Sequence, residues 1–134
     1  MSLDDARAGG LRADHAVVVC APVSADGTID SSFGRARRIA VARVEDGTVT
    51  DLQDELVAWD EVHDTGTEGG HHARVARFLR DHAVDVVLAR HLGPDMAHML
   101  ERMGITVRLG AAGDVRALAL ETAAAHASQE GREQ

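Results

Sequence analysis

VDVVLARHLGPDMAHMLERMGITVRLG, residues 84–110, decides the fold. Residues 84–89 form a short apolar run rich in β-branched side chains, which predicts a buried strand. Gly93-Pro94 then opens a helix, Pro being suited to a first-turn position. Met96, Met99, Leu100 and Met103 repeat at helical spacing and predict one inward stripe. Gly104 is placed to stop that helix, and residues 105–109 give another short buried strand. A strand, a helix and a strand this close together predict a parallel pair joined by a right-handed crossover.

Working outward, Ala16-Val17-Val18-Val19-Cys20-Ala21-Pro22-Val23 is a continuous β-branched run of the kind found in a strand buried on both faces. Residues 24–34 are turn-rich. Residues 38–44 and 48–52 flank Glu45-Asp46-Gly47, a hairpin signal with glycine where a positive φ is needed. Residues 57–70 are acidic and irregular. Val75, Phe78, Leu79 and His82 then mark one face of a helix. Residues 110–113 form a loop, and Asp114 is placed to cap a last helix reaching about His126. The order β-β-β-α-β-α-β-α predicts an α/β domain with a mixed five-stranded sheet flanked by helices. Residues 15–126 form this single domain, with polar, small-residue tails at 1–14 and 127–134.

Composition narrows the function classes. The chain of 134 residues carries a formal charge of −8, and all its Lys+Arg count is arginine, so general attraction to a nucleic-acid backbone is not expected. Aromatics are 2% of the chain, too few for stacking platforms on single strands. No apolar run approaches membrane-spanning length and no signal peptide is evident, so a cytoplasmic protein is expected. One cysteine, Cys20, excludes an internal disulfide and any site built from several thiolates. Its place within an apolar strand favours a buried structural thiol. There is no nucleophile elbow, phosphate-binding loop or zinc-protease motif, and an enzyme is not expected.

The topology places one edge apart from the rest. A helix leading into a parallel strand starts near that strand's carboxyl end. All three long helices should therefore begin at one edge, beside the loop after the first strand. Ligands of open α/β sheets favour such edges, and free helix N–H groups there favour anions. The residues assigned to this edge are Ser31-Ser32-Phe33-Gly34-Arg35, Gly69-Gly70-His71-His72, Arg90-His91-Leu92-Gly93-Pro94 and Gly110-Ala111-Ala112-Gly113. Ser32, Gly34, Arg35, Gly69, Gly70, Gly93 and Gly110 are the candidate cofactor-binding residues. His71, His72 and His91 are the candidate metal ligands, expected to converge from distant positions. A cation at a helix start is unfavourable, so His71 and His72 are expected neutral, the state that ligates metal. Arg35, Arg37 and Arg38 form a short basic cluster, read either as a solvated strand edge or as an anion clamp. His82 and His98 are expected to be structural or solvated. His15, His63 and His126 are expected at the surface, and the methionine stripe to be core.

Taken in order, Ala21-Pro22-Val23, Ser32-Phe33-Gly34-Arg35-Ala36, Val44-Glu45-Asp46-Gly47, Gly69-Gly70-His71, Val84-Asp85-Val86-Val87-Leu88-Ala89, Leu92-Gly93-Pro94, and Gly104-Ile105 leading to Leu109-Gly110 resemble the dinitrogenase iron–molybdenum cofactor biosynthesis domain. The resemblance spans roughly residues 15–125. It implies a ribonuclease H-like fold and a non-enzymatic accessory protein. Such a protein would bind a metal cluster at this edge, either the iron–molybdenum cofactor or an iron–sulfur precursor. Its partners would be that cluster and an acceptor protein or a second copy, with no nucleic acid and no membrane. The chain departs from the family pattern in having Ser32 where a histidine often precedes Phe-Gly, and Arg90-His91 where two glycines often follow the fourth strand. It also lacks the cysteine that cofactor carriers often have near the second-helix turn. His91 would supply a replacement ligand. The competing reading is a metal-free regulatory or interaction module of the same fold that binds a small anion. A nuclease is disfavoured, because the first strand carries no carboxylate and Asp85 begins its strand at the opposite edge.

Overall fold

The computed structural model describes residues 16–62 and 68–132. The expected N-terminal tail, His15 and His63 lie outside the described residues. The elements in chain order are β1 (Ala16–Pro22), β2 (Arg38–Glu45), β3 (Thr48–Leu56), α1 (Trp59–Val62), α2 (Glu68–Asp81), β4 (Val86–Leu88), α3 (Pro94–Arg102), β5 (Thr106–Arg108) and α4 (Val115–Arg132).

The five strands form one mixed sheet in the order β3-β2-β1-β4-β5. β1 pairs antiparallel with β2 and parallel with β4, and β4 pairs parallel with β5. β1 is therefore interior, and all seven of its residues are buried. This is why its sequence is a continuous apolar run rather than an alternating one. Side chains alternate between the two faces. Val18, Cys20, Val87 and Ile39 pack with Val75, Leu79, Met96 and Leu100 of α2 and α3. Val17, Val19, Val86 and Leu88 pack on the other face with Val115, Ala119 and Ala123 of α4.

The β2–β3 hairpin turns through Asp46 (φ 52°) and Gly47 (φ 78°), so both central residues are left-handed. That is the turn whose twist suits two adjacent antiparallel strands. α2 and α3 end alike. Val84 N–H donates to Leu79 O and Ala83 N–H to Arg80 O; Ile105 N–H donates to Leu100 O and Gly104 N–H to Glu101 O. Each end has a left-handed residue after the cap, Ala83 at φ 53° and Gly104 at φ 76°. Only the second uses the residue that adopts this conformation without steric cost. Asp114 caps α4 as expected, its Oδ2 accepting from Ala117 N–H at 2.9 Å.

Three local features differ from expectation. The segment 57–70 contains α1, fixed by Trp59 N–H to Ala36 O and by Val57 and Ala58 N–H to Arg37 O. Gly69 and Gly70 lie inside the first turn of α2 rather than in a loop ahead of it. α4 continues to Arg132, past the boundary expected near His126.

Candidate ligand edge

The carboxyl ends of the parallel strands β1, β4 and β5 lead into the segments 23–37, 89–93 and 109–114. The first of these touches all its neighbours. Past β1 it folds on itself through Asp26, whose carboxylate accepts from the Thr28 amide and hydroxyl at 3.1 and 2.7 Å. These bonds to the ionised form hold the Asp26 carboxyl below its ordinary value. The same turn is tied to the start of α4. Ile29 N–H donates to Gly113 O at 2.8 Å and Val115 N–H to Gly27 O at 3.0 Å, with Thr28 bridged to Asp114.

Further along, Ser32 forms a parallel bridge with His91. Strand β1 has ended by then, so Ser32 takes the place that a longer β1 would have occupied beside β4. Phe33 is fully buried next, and Gly34 O accepts from His71 Nε2 at 2.6 Å. Gly34 passes Met96 closely: a Cβ there would stand 3.4 Å from its terminal methyl. The segment 109–113 is held to the end of β4 by Gly110 N–H to Arg90 O and Ala111 N–H to Ala89 O, both at 3.1 Å.

The candidate residues thus separate into groups. Ser32 and His91 are brought together. Gly34 and His71 are brought together, but His71 is turned into the core at 5% exposure. While Nε2 donates its proton to a carbonyl it has no lone pair for a metal. His72 is half-buried, with its ring centroid 6.3 Å from that of His71. His91 and Arg35 are exposed, and Gly110 is exposed at φ 79°. Gly93 is the N-cap of α3 and makes no side-chain capping bond, with Pro94 following and Asp95 in the first turn. Among the described residues no group of three or more His, Cys, Asp or Glu is gathered as a metal ion would require. The three candidate histidines are therefore not a ready-made ligand set.

Other residues take the places physical chemistry assigns. Cys20 is fully buried within β1, and burial pushes its thiol well above the ordinary range. Asp85 is at the opposite edge, its Oδ2 accepting from Val18 N–H at 2.9 Å. Arg37 is exposed and pairs with Glu61 at 2.7 Å and Asp60 at 3.7 Å, and Arg38 pairs with Asp54 at 3.3 Å. These two are engaged on α1 and β3. His98 is exposed, and His82 packs on Phe78 at 4.4 Å.

Sequence reasoning missed Trp59. It lies edge-on to Phe33 (5.6 Å), His71 (6.1 Å) and Phe78 (5.5 Å), and so backs the loop that carries Ser32 and Gly34. Its signal was present in composition: the chain has one Trp, two Phe and no Tyr. All three aromatics therefore meet behind this edge.

A three-layer α/β domain with its loops and helix starts gathered at the carboxyl end of a mixed sheet is an architecture that serves many ligands and names no chemistry. The family model described as dinitrogenase iron-molybdenum cofactor matches residues 15–125. The chain belongs to that family. Among solved structures, the protein PH0822 is 20% identical, with a TM-score of 0.65 over 81% of this chain and 90% of that one. The apo form of the orange protein from Desulfovibrio gigas is 23% identical, with a TM-score of 0.56 over 78% of this chain and 83% of that one. These likenesses show the shared fold. A search of curated proteins finds no significant match. No helix among the described residues is long and apolar enough to cross a membrane.

Proposed function

We propose that this domain is a cytoplasmic, non-catalytic accessory protein that holds a nitrogenase-type iron–molybdenum cofactor or a precursor cluster at the carboxyl edge of its sheet. The observation that carries the reading is the Ser32–His91 bridge. It sets the Ser32-Phe33-Gly34-Arg35 segment directly against the start of α3, whose N-cap has no side-chain partner. Backbone N–H groups at the start of α3, with Arg35 and His91, would then be offered to an anion.

The donor set limits what that anion is. The single cysteine is buried and protonated, and no three-ligand group is gathered among the described residues. An iron–sulfur centre built on several protein thiolates does not fit. A cluster that brings its own sulfide ligands fits better, since it needs hydrogen-bond donors and positive charge rather than several protein–metal bonds. Ser32, Arg35, His91 and the N–H groups near Gly34 and Gly93 would hold it, while the amides of Gly110 and Ala111 are committed to Arg90 O and Ala89 O. His72 and His91 are the side chains that would supply a direct ligand. Gly69 and Gly70 would contribute only through the first turn of α2. The cargo would pass to an acceptor protein or be shared with a second copy.

The test is anaerobic titration with tetrathiomolybdate, alone and with ferrous iron, followed by optical spectra and metal analysis after desalting. Saturable, stoichiometric molybdenum retention that weakens in His91→Ala supports the reading. No retention overturns it. The engagement of His71 by Gly34 favours one second reading, a metal-free module that binds a small anion. Equal binding of phosphate or sulfate, with no preference for the sulfide-ligated anion, would select that reading.

A further inference from the structure

His71 was grouped with the metal ligands on sequence grounds, yet its surroundings suit a different task. We infer that His71 is a positioning residue: it braces the carbonyl of Gly34 and so fixes the shape of the Ser32–Arg35 segment that receives the ligand. The inference rests on the proposed role of this edge.

Three observations meet at this side chain. Its Nε2 lies 2.6 Å from Gly34 O, across 37 residues of sequence. The His71 side of the bond is 5% exposed, so the imidazole is shielded from water while Gly34 is half-buried. Its ring stands edge-on to Trp59 at 6.1 Å and 88°, and Trp59 stands edge-on to Phe33, the residue before Gly34. The imidazole is therefore held from one side by an indole and holds, on the other, the backbone next to that indole's second neighbour. Gly34 is half-buried, and its carbonyl, deprived of this donor, loses a partner that water replaces only if the loop opens. Ser32 is two residues from that carbonyl and carries the bridge to His91. A shift at Gly34 is thus transmitted within one turn of chain to both halves of the ligand edge.

A donor at the position of Nε2 is what the geometry requires, not an imidazole as such. His71→Gln places an amide N–H in nearly the same place. His71→Phe keeps a flat ring against Trp59 and removes the donor. The experiment compares the wild type and both variants by amide hydrogen exchange of Ser32, Gly34 and Arg35 without ligand, by Trp59 emission, and by anaerobic tetrathiomolybdate binding. His71→Phe is expected to speed exchange in this segment and weaken binding about tenfold, the equivalent of about 1.4 kcal/mol. His71→Gln is expected to restore most of both.

Binding by His71→Phe equal to wild type would overturn the inference. So would equal loss of binding in both variants with exchange unchanged, which would mark His71 as a direct ligand. If the wild type binds no tetrathiomolybdate but His71→Phe alone loosens the segment, positioning stands and the proposed cargo fails. Should His71→Phe not fold, long-range nitrogen–proton spectra of the wild-type imidazole decide. Protonation at Nε2 is expected, and an Nδ1–H tautomer would contradict it.

Discussion

Ser32 lies beside His91 in a parallel backbone bridge that prolongs the β1–β4 pairing past the ends of both strands. A loop residue thereby acquires a strand's placement. His91 gains a fixed backbone while its side chain stays exposed. An exposed side chain on a fixed backbone is available to a ligand at little cost to stability. His91→Ala is therefore expected to shift folding stability by less than about 0.5 kcal/mol. Tetrathiomolybdate binding should fall about tenfold, as expected for one lost hydrogen bond to a charged group. Chemical denaturation and anaerobic titration of the same preparation separate these effects.

The matched ends of α2 and α3 give a paired test of backbone strain. Ala83 occupies a left-handed position that Gly104 fills in the other helix. Ala83→Gly is expected to stabilise the fold by about 1 kcal/mol, and Gly104→Ala to destabilise it by about 1–2 kcal/mol. A Cβ at Gly104 meets nothing within 4 Å, so packing does not confuse the second result. Urea midpoints at unchanged slope measure both.

Asp26 sets a pH dependence of known sign. Its ionised form accepts two hydrogen bonds from Thr28, and its folded-state pKa is lowered. The unfolded state therefore binds the proton more readily. The stabilisation is fully present above the unfolded value and is lost as pH falls through the folded one. The stability gap between wild type and Asp26→Asn should be widest near neutrality and close in the acid range, as read by thermal melts across pH.

Cys20 is expected to be silent in the native state. It is fully buried and its thiol is held protonated, so an alkylating reagent needs an opening of β1. Labelling should be negligible in native buffer and track global unfolding in denaturant. Fast native labelling by mass spectrometry would contradict the interior placement of β1.

How far the sequence carried is clear from particular residues. The sheet was legible because residues 16–23 and 84–109 state their burial in apolar runs, and because Asp46-Gly47 states a turn. Strand direction assigns Ser32 and His91 to the same edge, but the bridge between them has no signal in the sequence. The inward turn of His71 did not, because periodicity cannot say which first-turn residue meets a carbonyl 37 positions away. Gly69 and Gly70 read as loop because glycine is a poor helix former. The His71–Gly34 bond supplies a tertiary anchor in the same turn. α1 escaped notice because its anchors are the carbonyls of Ala36 and Arg37, a tertiary cause with no local signature.

Where a sulfide-ligated anion sits on the domain decides whether the carboxyl edge of the sheet is its binding site. Amide nitrogen–proton spectra of the wild-type protein, titrated anaerobically with tetrathiomolybdate, give that position. Saturable shifts are expected at Ser32, Gly34, Arg35, His91 and Gly110, with the opposite edge at Asp46, Gly47 and Asp85 unmoved. Shifts gathered at that opposite edge, or none that saturate, would contradict that placement.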